Sequence, residues 1–266
     1  MRAWLSPSRP GRPEALADPA ERRAIVIELV VVFTVTLGLS GLRSLVSLLD
    51  SLLRPEPLSQ QQVAINAPRA DLGPLDMLAQ LVGVLQLVAW GALGLYLLWR
   101  GGIALHRIGL DRTRPRRDLL GGAGLAALIG IPGLGFYLVA HALGLSLTVA
   151  PSTLGDAWWR APVLVLSAFG NSFAEEVLVV GYLLTRLRQL GWGENRSLLV
   201  AAVLRGSYHL YQGFGGFVGN LVMGLVYGRV WQRTDRLWPL IVGHALIDVV
   251  AFVGYAGLKG QVAWLP

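Results

Sequence analysis

NSFAEEVLVVGYLLTRLR, residues 171–188, is an apolar run of membrane-helix character that carries two adjacent carboxylates, Glu175 and Glu176, near its start. An acidic side chain at the centre of a bilayer costs about 2.5 to 3.5 kcal/mol even on lenient insertion scales, so a doubled acid there asks for partners and for a purpose. The chain downstream offers both. His209 follows in the next apolar segment, and His244 and Asp248 stand one helical turn apart in the last.

The bulk composition agrees with a membrane setting. Of 266 residues, 54% are hydrophobic and only 15% are charged, and the mean hydropathy is +0.55. An ordinary soluble domain is less apolar and more charged than this. With no cysteine in the chain, disulfides and thiolate metal sites are excluded. Any nucleophile or ligand must then come from carboxylate, imidazole, hydroxyl or water. The net charge of +7 does not point to nucleic acid, because the arginines fall between apolar runs and form no basic face.

These features predict an all-α, polytopic helical bundle of about seven spans. Residues 1–23, rich in proline and arginine, read as a disordered cytoplasmic tail. Residues 24–147 hold the N-terminal transmembrane helices. The first runs over 24–42 with an amphipathic extension to Leu53 near the interface, a polar loop covers 54–74, and further spans follow at 75–99 and 119–147. Gly130, Pro132, Gly133 and Gly135 predict a kink in the third span. Residues 159–258 form the second half, with spans at 161–184, 197–211, 217–231 and 239–258. No internal repeat of the kind that marks an inverted-repeat transporter is visible.

Basic residues collect on the cytoplasmic side of a membrane, which tests the layout. With the N-terminus inside, 17 of the 23 basic residues fall on the inner segments and five on the outer ones, while Arg205 lies within the fifth span. The reading is therefore a multi-pass plasma (inner) membrane protein with its N-terminus cytoplasmic and its C-terminus outside.

At about 1.5 Å of rise per residue, Glu175 lies roughly 16 Å from the inner end of its span, His209 roughly 18 Å, His244 roughly 8 Å and Asp248 roughly 14 Å. Their i, i+4 spacing puts His244 and Asp248 on one helical face. Glu175 and Glu176 project about 100° apart, so one aims at a shared point and the other orients. Asn171, one turn before Glu175, is placed to support it.

Each residue also has a plain reading. A lone histidine in a membrane helix is often an interhelical hydrogen-bond donor, the reading given to His141, and Glu28 beside Arg22 and Arg23 reads as an interfacial ion pair. Gly224 and Gly228 form a small-xxx-small pair suited to close helix packing. Two acids, two imidazoles and an aspartate on three helices at matched depth are harder to explain as independent packing choices.

These residues resemble three motifs of the CAAX protease and bacteriocin-processing group of intramembrane proteases, also called the Abi family, with its type II CAAX prenyl endopeptidases. The first motif is a Glu-Glu pair with an arginine four residues after the second glutamate; here Glu175 and Glu176 are followed by Val180. The second is a phenylalanine four residues before a histidine; here Arg205 precedes His209. The third is a histidine followed four residues later by Asn or Asp, matched by His244 and Asp248 in WPLIVGHALID. The resemblance covers roughly residues 161–256.

The resemblance implies an endopeptidase that hydrolyses a peptide bond of a membrane-associated protein or peptide. Glu175 is then the general base, His209 helps hold the water, and His244 and Asp248 face the carbonyl. If a metal is bound, Glu175, His209 and His244 with an open water position suit zinc, Zn2+. The same side chains serve a metal-free scheme. Arg205, replacing the missing arginine of the first motif, is expected to neutralise Glu176 from the neighbouring helix. The partners implied are the lipid bilayer and a peptide or membrane-anchored protein segment, and no nucleic acid. The rival class is a non-enzymatic membrane protein, either a proton- or cation-coupled transporter using the same acids and histidines as a relay, or a bacteriocin immunity factor acting by binding.

Overall fold

A computed structural model describes residues 15–258 of the chain. The chain is 76% helical with 5% strand, an all-α bundle. In order it comprises α1 (Pro19–Val35), α2 (Leu37–Leu53), β1 (Gln62–Asn66), α3 (Gly73–Arg100), α4 (Pro115–Ala142), β2 (Thr148–Ser152), α5 (Arg160–Gln189), α6 (Glu194–Ser207), α7 (Phe214–Thr234) and α8 (Trp238–Leu258).

Local sequence explains several of the helix starts. Proline stands at the first or second position of α1, α3 and α4, where its missing N–H is one the helix leaves unpaired anyway. Asp18 caps α1, its carboxylate accepting from the Ala20 N–H at 2.9 Å. Residues 19–23, read from sequence as tail, are therefore the first turn of α1. The remainder of that tail, residues 1–14, lies outside the described residues, as does Lys259.

Among the described residues four helices are long and apolar enough to cross a membrane: α3, α4, α5 and α8. Counting α1 and α2 as one span bent by 48° makes five. The sequence reading expects seven, and the difference is α6 and α7. α6 has 14 residues, a rise of roughly 21 Å against a hydrocarbon core of about 30 Å, and returns directly as α7. This pair packs as a hairpin through glycines: a Cβ on Gly224 would come within 2.9 Å of the Ala202 Cα, and one on Gly228 within 2.5 Å of the Leu198 Cδ1. The amphipathic extension after Leu42 is α2, whose buried stripe of Leu37, Gly41, Ser44, Leu48 and Ser51 faces the bundle. In the third span, α4 continues as one helix through Pro132 and ends at Ala142.

The expected loop 54–74 contains β1, which pairs in parallel with β2 in the register Val63↔Val149. Asn66 Nδ2 donates to the Pro151 carbonyl at 2.9 Å, and the His141 Nε2 lies 2.9 Å from the Thr148 Oγ1. At the opposite end, Arg22 donates to the Leu190 carbonyl at 2.8 Å, and Arg236 bonds Asp111 at 2.7 Å and also Asp118. Segments assigned by charge to the same side thus meet one another. Glu28 finds a different partner from the one expected: it accepts from Arg186 Nε and from the Tyr182 hydroxyl, both at 2.8 Å.

The loop pair around Arg236 gives two predictions. Gly109 has φ +79, and a Cβ there would sit 2.3 Å from the Arg236 Cα and 2.3 Å from the Asp235 carbonyl oxygen. Gly109→Ala is expected to destabilise the fold by about 2 kcal/mol or more, read as a lowered thermal midpoint in detergent. The hydrogen bond from Arg236 holds the Asp111 carboxyl below the usual carboxylate range, with Thr113 adding to it. A depressed folded-state pKa stabilises above the ordinary value of 3.8 and loses that contribution as pH falls below it. Asp111→Asn should therefore lower the thermal midpoint by a constant amount from pH 7 down to about 4, and by less in stronger acid.

α5 is the axis of the bundle. In its most apolar window 67% of residues are buried, against 11–33% for α3, α4 and α8. Around Val177, Leu178, Tyr182 and Leu184 the core gathers Leu98 of α3, Tyr227 and Trp231 of α7 and Leu240 and Ile241 of α8. A charged group on α5 is thus surrounded by protein on all sides rather than by lipid.

Candidate active site

The two acids sit where α5 changes its winding. From Glu176 to Tyr182 the helix is π-wound, and the α-helix resumes at Leu183. Short π segments recur at functional sites because they widen a turn and re-aim side chains. Here both acids turn inward: Glu175 is 3% exposed and Glu176 is fully buried. The expectation that only one carboxylate can aim at a common point is corrected by a third group that reaches both.

That group is Arg205, on α6 and also fully buried. Its Nη2 donates to Glu176 Oε1 at 2.6 Å, and its Nη1 lies 3.7 Å from Glu175 Oε2. One guanidinium therefore stands against two carboxylates in a dry core, where an unpaired charge would be very costly. The Arg205 guanidinium also lies 5.9 Å from the ring centroid of Tyr227.

Glu176 Oε1 has a second partner, His244 Nδ1 on α8, at 2.8 Å. An Nδ1 that donates to a carboxylate leaves Nε2 as the free edge of the ring. The Nε2 lies 3.7 Å from Asp248 Oδ2, one turn along α8, and the same Oδ2 accepts from Asn171 Nδ2 at 3.0 Å. Asn171 thus supports Asp248, across from α5 to α8, instead of Glu175 on its own helix. The depth arithmetic had set His244 shallower than the acids. The two meet because α8 begins inside the bundle, with Leu237, Leu240 and Ile241 all fully buried.

His209 follows the end of α6, on a turn that closes at Gly213 with φ +97. Its Nδ1 lies 3.0 Å from the Arg205 carbonyl oxygen and donates to it, so that Nε2 keeps its lone pair when the ring is neutral. The ring packs against Tyr208, whose hydroxyl reaches Glu175. Gly213 is held against the segment that follows α4, where its backbone pairs with Ser146. That contact fixes how far the turn carrying His209 extends.

Two tyrosines belong to the cluster that the sequence reading does not find. The Tyr208 hydroxyl donates to Glu175 Oε2 at 2.7 Å, and the Tyr227 hydroxyl is buried beside Gly243. Nothing sets either apart within an apolar run; adjacency to His209 is the one available signal, and only for Tyr208. The deepest members are Glu175, Glu176, Arg205 and His244, while Asn171, His209, Tyr211 and Asp248 are only partly buried and form the open rim.

The metal expectation can be weighed against this donor set. Among the described residues no three His, Asp or Glu side chains are gathered to hold a metal ion. The positive charge that balances the two acids is the Arg205 guanidinium, and Glu176 Oε1 is already shared between Arg205 and His244. Glu175, His209 and His244 form a buried acid and an imidazole bordering an accessible rim, with a second imidazole oriented beside them.

Residues 157–250 match the family model described as Rce1-like, Type II CAAX prenyl endopeptidase Rce1-like. The matched segment is roughly a third of the chain and contains every residue of the cluster. No curated protein and no solved structure matches the chain.

Proposed function

From the premise that residues 157–250 are a domain of the CAAX family of intramembrane proteases, we propose that this chain is an endopeptidase that cleaves a peptide or membrane-anchored protein segment with a water activated by Glu175. The observation that carries the reading is the single buried constellation in which Arg205 joins both acids of α5 to His244 of α8, with His209 at its rim.

The roles follow from the hydrogen bonds. Glu175 Oε2 is occupied by Tyr208, so the water gives its proton to Oε1. His209, with Nδ1 committed to the Arg205 carbonyl, offers Nε2 to the same water. The attacked carbonyl oxygen gains negative charge in the transition state and needs a donor. His244 supplies it through Nε2–H as the imidazolium, its ring held by Glu176 on one edge and faced by Asp248 on the other. The proton taken by Glu175 passes to the leaving amine. Glu176 and Arg205 stay paired throughout and set the geometry.

The substrate enters from the rim formed by Asn171, His209, Tyr211 and Asp248. The charge distribution supports a plasma-membrane protein whose N-terminus is cytoplasmic. The test is cleavage of an internally quenched peptide by the purified chain in detergent, with and without a strong zinc chelator. Cleavage that survives the chelator supports the metal-free scheme, and cleavage lost to it and restored by zinc overturns that scheme. Absence of any cleavage, with proton-driven uptake into liposomes instead, overturns the hydrolase.

A further inference from the structure

We propose that Tyr208 is the positioning residue for Glu175, and that α2, which lies outside the matched segment, mounts it through Ser44. The kinetic arm of this inference rests on the hydrolytic reading above; the structural arm does not.

Tyr208 is 5% exposed, and its hydroxyl gives its proton to Glu175 Oε2 at 2.7 Å. A buried phenol needs a partner for its O–H, and this is the hydrogen bond it makes. The terminal torsion of a glutamate is broad, so a carboxylate with one oxygen unheld can rotate through a wide range. With Oε2 tied to Tyr208 and lying 3.7 Å from Arg205 Nη1, the carboxylate plane is set, and among the described residues none donates to Oε1. That is the condition a general base requires: one oxygen anchored, the other open.

The anchor is itself anchored. Ser44 of α2 donates to the Tyr208 carbonyl at 2.9 Å. One turn earlier, Gly41 lets the two backbones close, since a Cβ there would stand 2.8 Å from Ser207 Oγ. The Tyr208 ring also packs on His209 with centroids 4.8 Å apart. Consecutive residues on one short turn therefore supply both the group that orients the base and the imidazole that shares its water. α2 holds that turn, which gives the N-terminal half of the chain a part in the chemistry.

The experiment uses the full chain in detergent and the quenched peptide. Tyr208→Phe removes only the hydroxyl, and kcat is expected to fall about 10- to 100-fold with KM unchanged within about two-fold. Ser44→Ala, which leaves the phenol in place, should show the same split at about two- to ten-fold. It also serves if Tyr208→Phe does not fold. In parallel, thermal midpoints are measured for Tyr208→Phe, Glu175→Leu, which leaves the phenol no acceptor, and the double variant. The double should lie no lower than the less stable single, because each change removes the same contact. An unchanged kcat in Tyr208→Phe, or midpoint shifts that add, overturns the positioning role. An unchanged kcat in Ser44→Ala overturns the part given to α2. If the unaltered chain cleaves no peptide, the hydrolytic reading falls, and the thermal cycle alone decides whether Tyr208 holds Glu175.

Discussion

Glu175→Gln is expected to reduce peptide cleavage by about three orders of magnitude, within the 10²- to 10⁴-fold range that general-base catalysis supplies. The substitution keeps the size and planarity of the side chain, and the amide oxygen can still accept from Tyr208. What it removes is the oxygen that takes a proton. The folded state should survive, because the charge of Arg205 remains balanced by Glu176 at 2.6 Å, the closer of its two carboxylates. Glu176→Gln differs in kind: it weakens the contacts to both Arg205 and His244, so lowered stability should accompany lost activity. A chain that retained more than a tenth of its cleavage rate in Glu175→Gln would not be using this carboxylate as its base. His209→Ala gives the second reading of the same centre, with a smaller expected loss, because the imidazole shares the water without being its main proton acceptor.

How much of this could be read from sequence divides along physical lines. The acids, the two histidines, Asp248 and Arg205 stand out because charge in an apolar run is expensive, and expense is visible one residue at a time. The helical class is equally plain from hydropathy. Contacts set by packing are not visible in this way. Asn171 looks like a partner of Glu175 at i, i+4, yet it faces α8 and donates to Asp248. The π-wound turn after Glu175 re-aims both acids, and no residue type announces it. The α6–α7 hairpin reads as two spans because its segments are apolar, although 197–211 is already short for a span, and α6 ends at Ser207. β1 and β2 are five-residue strands whose paired residues, such as Val63 and Val149, lie 86 positions apart, a contact that no local pattern encodes. Tyr208 escapes for a related reason: a tyrosine among leucines carries no charge, and its hydroxyl matters only through the carboxylate it meets.

The second large effect is on stability and concerns Arg205. In Arg205→Leu the core keeps its volume but loses the cation set against Glu175 and Glu176, and about 3 to 5 kcal/mol of stability is expected to go with it. Most of that loss comes from the stranded Glu176, which would keep His244 as its partner but lose the guanidinium 2.6 Å away. Neutralising the stranded acid should therefore recover stability. Arg205→Leu combined with Glu176→Gln is expected to regain more than half of the single-variant deficit, a strongly non-additive result for residues in direct contact. Activity should not return with it, since His244 would no longer have a carboxylate on its Nδ1 edge. Chemical or thermal unfolding of the three variants in the same detergent measures the cycle. If Arg205→Leu costs less than about 1 kcal/mol, or the double variant is worse than either single, Arg205 is not the counter-charge of this pair. The resemblance expects an arginine one turn along from the acids, where Val180 stands buried in the π-wound segment. A cation supplied from α6 instead serves the same two carboxylates and ties the turn carrying Tyr208 and His209 to α5, so the partner that neutralises the acids also fixes the distance between the base and its imidazole.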